Sequence, residues 1–210
     1  MTSLIDMMRL LPTRDFFCFD ISWSRIYLGK KFLTNEHILS QPKIFTADIK
    51  NIPLPDSSID IVTTSHALEP NHGNELELLC ELLRVSRYGL VLFEPSYELC
   101  SEEQRKRMEY HGYVRGIPQV LMKLPCSLVE YSLLENFLNP LNRTAAFVIH
   151  KKDVKPHRNP LFVAPCTKNN LIFSKDNMLW DRDEGVLYPI LSDIPLLREE
   201  LGILATHYEG

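Results

Sequence analysis

Short apolar runs alternate with longer stretches of helical periodicity through the first 150 residues. Apolar residues in the stretch 2–11 recur with a helical period that Pro12 ends. The wholly apolar run at residues 16–19 is typical of a strand buried on both faces, and Ser22 can cap a helix after it. The same reasoning predicts five further strands, at residues 43–47, 59–64, 90–93, 128–134 and 145–149.

Two more helices fit between these strands. Apolar residues within 76–83 recur at positions i, i+3, i+4 and i+7, which indicates a helix with one buried stripe. Ser101 and Gln104 match a capping box, which predicts a helix through about His111. Strand alternating with helix predicts the α/β class, with a Rossmann-like, doubly wound and mostly parallel sheet.

The pattern changes near residue 150 and divides the chain into three parts. Residues 1–150 are predicted to form the α/β domain, and the basic, proline-bearing stretch 151–160 is predicted to be a linker. Residues 161–210 contain short strand candidates separated by polar turns, which predicts a small, β-rich module. A module of about fifty residues needs to pack on the main domain to be stable.

Net charge, cysteine spacing and hydropathy limit the kinds of ligand, metal site and membrane contact that this chain can have. A net charge of -4 lacks the basic footprint that phosphate-backbone binding requires, which argues against nucleic acid. The five cysteines are scattered without a C-x-x-C pair, so we interpret them as reduced thiols and predict no metal site. No apolar run approaches the ~20 residues of a membrane span. These features predict a cytoplasmic protein.

Polar residues follow three of the predicted strands, where ligands bind in open α/β sheets. Asp20 follows one strand, Asp48 follows the next, and Ser65 and His66 follow the third. A carboxylate at such a strand end can accept hydrogen bonds from both hydroxyls of a ribose. An aspartate at the next strand end can accept a hydrogen bond from an adenine amino group, while Ile49 offers an apolar wall. The sequence therefore predicts a site for a nucleoside-containing cofactor.

Three runs, FCFDISWSRI, ADIKNIPLPDSSIDIVTTSHALE and LVLFEP, resemble the class I S-adenosylmethionine-dependent methyltransferases over residues 15–149. The resemblance implies that S-adenosylmethionine is the cofactor. It implies that Asp20 binds the ribose with Ile21 beside it, and that Asp48 and Ile49 contact the adenine. It further implies that the floor near the sulfonium is lined by Ser65, His66 and Leu68.

The tail resembles the small zinc-ribbon-like module that activates some methyltransferases. The similar segments are APC at residues 164–166, GVLYPI at 185–190 and DIPLL at 193–197. Only Cys166 stands where a metal ligand would be, which is too few thiolates for a tetrahedral zinc site. We therefore expect a metal-free module that packs against, or completes, its own catalytic domain.

The segments SHALEPNHG, LFEPSYEL and EQRKRMEYHGYVRG are similar to methyltransferases of bacterial surface-glycan gene clusters, which implies a small-molecule or sugar acceptor. Methyl transfer to a hydroxyl needs alignment and a proton acceptor. Because neutral imidazole titrates near working pH, His72 or His111 is predicted to be the base. The predicted substrate-binding residues are Glu94, Tyr97, Tyr113 and Arg115, and Arg115 suits a carboxylate.

A class I methyltransferase also carries a first strand and a turn of the type E/D-x-G-x-G. The eight glycines of this chain are not clustered in any such turn, and residues 2–11 resemble the helix that follows it. Three hypotheses follow: a truncated or late-start enzyme, a catalytically inactive scaffold or binding partner, and a half-domain that regains a strand by pairing with another chain. The third predicts a homo-oligomer formed through the incomplete sheet.

Overall fold

The computed structural model describes residues 2–36, 42–136, 139–159 and 161–208. The helices are α1 Thr2–Leu10, α2 Trp23–Asn35, α3 Glu75–Val85, α4 Glu102–His111 and α5 Ile117–Leu121. The strands are β1 Phe17–Asp20, β2 Lys43–Thr46, β3 Ile59–Ser65, β4 Ser86–Pro95, β5 Cys126–Leu133, β6 Thr144–Lys151, β7 Ile172–Phe173, β8 Met178–Asp181, β9 Val186–Leu191, β10 Ile194–Pro195 and β11 Ile203–Leu204.

The chain forms two compact units. The first unit joins Met1–Pro53 to Leu161–Gly210, and the second unit is Leu54–Pro160. The first unit therefore combines the two ends of the chain, whereas the predicted domains follow one another along it. The domain boundaries at residues 150 and 160 stay a prediction. Compact units are defined by contacts within the folded chain, whereas the predicted domains are defined by sequence pattern and family resemblance.

In the first unit, β1 and β2 pair in parallel, with Asp20 opposite Thr46. Helix α1 packs Leu4, Ile5 and Met8 into an apolar cluster with Leu33 of α2. These side chains recur at the helical period predicted for residues 2–11, so burial of one face explains why this segment is helical.

The C-terminal part of the first unit packs on β2. Ile194 of β10 is fully buried and contacts Ile26 and Ile44. Leu196 forms a parallel bridge with Thr46, and the Leu197 N–H donates to the Thr46 carbonyl at 3.0 Å. The tail therefore packs against α2 and β2, and it pairs with a strand whose edge needs cover.

Asp181 joins two turns of the C-terminal part. Its carboxylate is buried and accepts hydrogen bonds from Thr167 Oγ1 at 3.0 Å and Asn169 Nδ2 at 3.2 Å. It also accepts from the backbone N–H groups of Asp183 and Glu184, at 3.2 and 3.3 Å. These hydrogen bonds satisfy the buried carboxylate and hold both turns in place.

The second unit is a four-stranded mixed sheet in the order β3-β4-β6-β5. Strands β3 and β4 are parallel, whereas β6 is antiparallel to both β4 and β5. The α/β class is confirmed, and in this unit the sheet is mixed rather than mostly parallel. Gly89 is required where β4 meets β6, because a Cβ there would lie 2.0 Å from the Ile149 carbonyl oxygen.

Several local predictions are confirmed and others need correction. The capping box of α4 forms between Ser101 and Gln104, and Ser22 caps α2. Strands β5 and β6 extend beyond the apolar runs that predicted them, because ladder pairing continues through polar residues. Residues 161–163 are one of the short strand candidates of the C-terminal module, but they form no strand, and Val163 makes an isolated bridge with Asn170.

Candidate functional site

Asp20 ends β1 at the carboxyl edge of the parallel pair. Its Oδ1 accepts the Ser22 N–H at 2.8 Å, and its Oδ2 lies 3.7 Å from Arg25 Nη1. One carboxylate oxygen thus shapes the turn into α2, and the second can accept from a ligand. The side chain is 32% exposed. Ile21, which follows it, is exposed.

Asp48 occupies the corresponding place after β2. Its Oδ1 accepts the Lys50 N–H at 2.9 Å, which is the same short turn as at Asp20. Asp48 and Ile49 are both half-buried. The carboxylates of Asp20 and Asp48 follow neighbouring parallel strands, as the strand-end argument predicts. The two carboxylates can accept hydrogen bonds from the ribose and the adenine of a nucleoside, and the exposed side chain of Ile21 offers it an apolar contact.

In the second unit, β3 ends at Ser65, which is exposed, and the loop after it begins at His66. His66 has a φ of 52°, in the left-handed region that residues with a Cβ seldom adopt. Leu68 is fully buried, so its side chain belongs to the core below the loop. Backbone strain such as the positive φ of His66 is found at functional sites, where surrounding contacts hold the strained residue in place.

His66 and Glu69 form a close pair within this loop. Nδ1 of His66 lies 2.5 Å from Glu69 Oε2, and Nε2 lies 2.8 Å from Thr144 Oγ1. A carboxylate beside Nδ1 favours the tautomer with the proton on that nitrogen, which leaves Nε2 as an acceptor. The hydrogen bond with Glu69 raises the pKa of His66, although burial opposes the shift. The imidazole is therefore a stronger base than a free histidine.

Glu69 is held by several donors. Burial opposes its ionisation, but hydrogen bonds from His66, Tyr113 and Asn142 outweigh burial and keep the pKa of this carboxyl below its usual range. Asn142 Nδ2 donates to Glu69 Oε1 at 3.2 Å. Arg107 Nη2 in turn lies 3.4 Å from the Tyr113 hydroxyl. A chain of polar contacts therefore runs from Arg107 to His66.

Glu94 supports the same loop from below. It is fully buried, and its carboxyl oxygens accept the N–H groups of Ala67 at 3.0 Å and Leu68 at 3.2 Å. Burial raises the pKa of Glu94 to about 7, although these hydrogen bonds and the charge of His66 lower it. The geometry gives Glu94 a role in holding the loop, and its predicted contact with substrate stays a prediction.

The raised pKa of Glu94 predicts a pH-dependent stability. Because the folded-state pKa of about 7 exceeds the usual 4.5, the stabilisation is fully present below about pH 4.5 and is lost as pH rises through 7. The loss is on the order of 3 kcal/mol. We expect urea unfolding, measured at intervals from pH 4.5 to 8, to show that the free energy of unfolding decreases less for Glu94→Gln than for the unsubstituted chain. Parallel pH profiles for the two proteins would contradict the expectation.

Tyr97 and Arg115 lie together in a second cluster. The Tyr97 hydroxyl donates to Glu109 Oε1 at 2.6 Å, and the guanidinium carbon of Arg115 lies 5.7 Å from the Tyr97 ring centre. Arg115 Nη1 is 3.9 Å from Glu109 Oε1, which is a loose ion pair. The structure thus brings two of the predicted substrate-binding residues together and places Tyr113 with Glu69 instead.

The two histidines predicted as bases have different surroundings. His72 Nδ1 lies 2.8 Å from Glu75 Oε1, and the same oxygen accepts the Arg115 N–H at 3.1 Å. His111 is exposed at the end of α4, where its ring stacks on Tyr113. His72 therefore helps to hold the start of α3, and His111 covers a tyrosine. Their catalytic roles stay predictions.

The sequence makes His66 a candidate to line the cofactor site, and it makes both His66 and Glu69 candidates for the acceptor side, without predicting that the two form a pair. The spacing His-x-x-Glu in a strand-end loop is the feature that points to the pair. The contacts of Thr144 and Asn142 have no comparable local feature, because they lie more than 70 residues away along the chain. Among the described residues, no group of three or more histidine, cysteine or acidic side chains could hold a metal ion. Within the same ranges, no helix is long and apolar enough to cross a membrane.

A family model described as a methyltransferase domain matches residues 4–93. No curated protein matches the sequence. The matched region includes Asp20, Asp48 and the loop that carries His66. Sequence similarity therefore covers the three strand ends at which the candidate cofactor residues lie.

Solved structures show the same fold at low identity. A SAM-dependent methyltransferase from Methanosarcina mazei is 14% identical, with a TM-score of 0.54 over 66% of this chain and 82% of that one. A protein from Bacillus halodurans assigned as a methyltransferase is 13% identical, with a TM-score of 0.52 over 66% and 83%. A [4+2]-cyclase is 11% identical, with a TM-score of 0.55 over 71% and 70%. The family model spans less than half of the chain, and the solved structures show that the chain has the α/β fold that S-adenosylmethionine-dependent methyltransferases share.

Proposed function

We propose that this chain transfers a methyl group from S-adenosylmethionine to an oxygen or nitrogen of a sugar or surface-glycan precursor. The observation that carries the proposal is the pair of His66 and Glu69 at the end of β3, in a chain whose β1 and β2 end in Asp20 and Asp48. A fold shared with a cyclase does not by itself determine the reaction, so the site residues have to support it.

The residues of the first unit fit the adenosine half of the cofactor. Asp20 would accept hydrogen bonds from the ribose hydroxyls, and Asp48 would accept one from the adenine amino group beside Ile49. When bound, S-adenosylmethionine supplies an electrophilic methyl group on a positively charged sulfur. The contribution of the protein is then to align the acceptor and to take its proton.

His66 is our candidate for the residue that takes that proton. Glu69 holds the proton of the imidazole on Nδ1, and Nε2 presents its lone pair toward the Thr144 hydroxyl. An acceptor hydroxyl that replaces Thr144, or that passes its proton through Thr144, would deliver the proton to Nε2. As the charge on His66 rises, the carboxylate of Glu69 stabilises it. This geometry favours His66 over His72 and His111 as the base.

A sugar acid would suit the remaining polar residues. Tyr113 and Arg107 continue the polar chain from Glu69, and Arg115 makes a loose ion pair with Glu109 at 3.9 Å. A guanidinium of this kind can bind a carboxylate with two parallel hydrogen bonds. We therefore expect acidic sugars and their nucleotide derivatives to be better acceptors than neutral ones.

The proposal is tested by incubating the protein with S-adenosylmethionine labelled in the methyl group and a panel of nucleotide sugars and free acidic sugars. Transfer of label to a member of the panel is expected, with UDP-glucuronate as the first probe. The matched control is the variant His66→Ala, which should transfer little label. Transfer of label only to RNA or protein would contradict the sugar assignment.

A binding role without catalysis is the alternative. The observation that favours it is the absence, anywhere in the 210 residues, of a glycine pair spaced as in E/D-x-G-x-G. Such glycines allow backbone amides to approach a cofactor closely. Cofactor binding with no transfer to any acceptor in the panel would support this alternative.

A further inference from the structure

The C-terminal segment, residues 194–201, runs along the ligand edge of the first unit. It pairs with Thr46, the last residue of β2, through the bridge to Leu196 and the N–H of Leu197. Ile194, at the start of the segment, is fully buried against α2 and β2. The segment is therefore anchored at the end of the strand that precedes Asp48.

Beyond this anchor the segment reaches the turn between β1 and α2. Arg198 Nη1 donates to the carbonyl oxygen of Ile21 at 3.2 Å, and Arg198 Nη2 pairs with Glu200. The arginine side chain is 28% exposed. Ile21 directly follows Asp20, whose Oδ1 accepts the Ser22 N–H. The turn is thus held internally by Asp20 and from the C-terminal segment by Arg198.

The hairpin between β9 and β10 holds the helix that follows this turn. Trp23 Nε1 donates to the Leu191 carbonyl at 3.4 Å, and Lys30 Nζ donates to the Ser192 carbonyl at 2.8 Å. Lys30 also pairs with Asp193 at 3.2 Å. The first residues of α2 and the turn before it are consequently tied to the C-terminal part at several points.

We infer that Arg198 is a positioning residue for the cofactor, which acts by fixing the Ile21 carbonyl and so the direction of the Asp20 carboxylate. The inference rests on the proposed function. A carboxylate that must meet both ribose hydroxyls needs a fixed backbone, since small displacements weaken charge-assisted hydrogen bonds. The tail of this chain would then contribute to its own cofactor site.

Isothermal titration with S-adenosylhomocysteine tests the inference through affinity rather than activity. We expect Arg198→Ala to weaken binding roughly tenfold, because a turn that Arg198 no longer fixes has to be ordered when the ligand binds. Arg198→Lys should recover most of the affinity, because its ammonium can donate to the same carbonyl. The matched control is Arg182→Ala, which removes an exposed arginine from the turn after β8 and should bind as the unsubstituted chain does.

A double-mutant cycle separates positioning from a general loss of structure. If Arg198 acts through Asp20, then Asp20→Asn combined with Arg198→Ala should bind no more weakly than Asp20→Asn alone. Additive losses would contradict the inference. Hydrogen exchange gives a readout that needs no ligand: amides of the turn at residues 21–25 should exchange faster in Arg198→Ala than in Arg182→Ala.

The outcomes distinguish this inference from the proposed function. If the unsubstituted chain did not bind S-adenosylhomocysteine, the proposed function would be overturned. If the amides of residues 21–25 also exchanged at an unchanged rate in Arg198→Ala, the positioning role of Arg198 would be overturned as well. Binding by the unsubstituted chain with equal affinity in Arg198→Ala would overturn the inference alone. If Arg198→Ala exchanged its turn amides faster but bound S-adenosylhomocysteine with unchanged affinity, Arg198 would only stabilise the turn. That result would also overturn its role in cofactor binding.

Discussion

His66→Ala is expected to lower kcat/KM for methyl transfer by about 10²–10⁴-fold, because the substitution removes the group that we propose takes the acceptor's proton. Thermal unfolding should change little, since the imidazole is partly exposed. Glu69→Gln should cause a smaller loss, because the amide keeps a hydrogen-bonding partner for Nδ1 but removes the charge that stabilises the imidazolium. The measurement is initial-rate transfer of labelled methyl to the best acceptor of the sugar panel.

The histidines His72 and His111 provide the comparison for this prediction. Each was predicted as the base from the sequence, and each has an alanine variant that leaves the contacts of His66 intact. We expect both variants to keep activity within about threefold of the unsubstituted chain, as for surface changes away from the reacting atoms. A large loss in either variant, with His66→Ala active, would contradict our assignment. Activity should also rise with pH as His66 loses its proton, above the usual histidine pKa.

Asp181→Ala is expected to lower the free energy of unfolding by about 3 kcal/mol, because it removes the buried carboxylate that four part-buried donors share. The carboxylate accepts from Thr167, Asn169 and two backbone N–H groups, and it is 1% exposed. Urea unfolding at neutral pH measures the change. Asp183→Ala, at an exposed position two residues away, should change stability by less than about 0.5 kcal/mol. Equal midpoints for the two variants would show that Asp181 does not hold the turns.

Local features of the fold could be predicted because they depend on neighbours in sequence. The capping box at Ser101 and the helix after Ser22 need only residues three positions apart. Strands such as β1 and β4 follow from wholly apolar runs bounded by polar residues, although β1 is half-buried rather than buried on both faces as predicted. The ends of the strands identified Asp20 and Asp48 for the same reason, since a carboxylate after a buried strand must lie at the edge of the sheet.

Contacts between distant parts of the chain could not be predicted in this way. The pairing of Leu196 with Thr46 and the contact of Arg198 with Ile21 join residues 150 or more positions apart. No local pattern distinguishes Arg198 from any other surface arginine. The antiparallel insertion of β6 between β4 and β5 was missed similarly, because an apolar run does not specify the direction of its neighbours. His66 lay within reach of prediction, but the role of its partner Glu69 depends on the left-handed turn that brings the two together.

Binding of S-adenosylhomocysteine, measured by isothermal titration to the unsubstituted chain and to Asp20→Asn, tests the central claim most directly. Asparagine keeps an oxygen for the Ser22 N–H and removes the negative charge, so the turn should persist while the ribose contact weakens. We predict saturable binding of one ligand per chain, weakened roughly tenfold or more in Asp20→Asn. No binding to the unsubstituted chain, or equal affinity in the two proteins, would contradict a cofactor site built on the carboxyl end of β1.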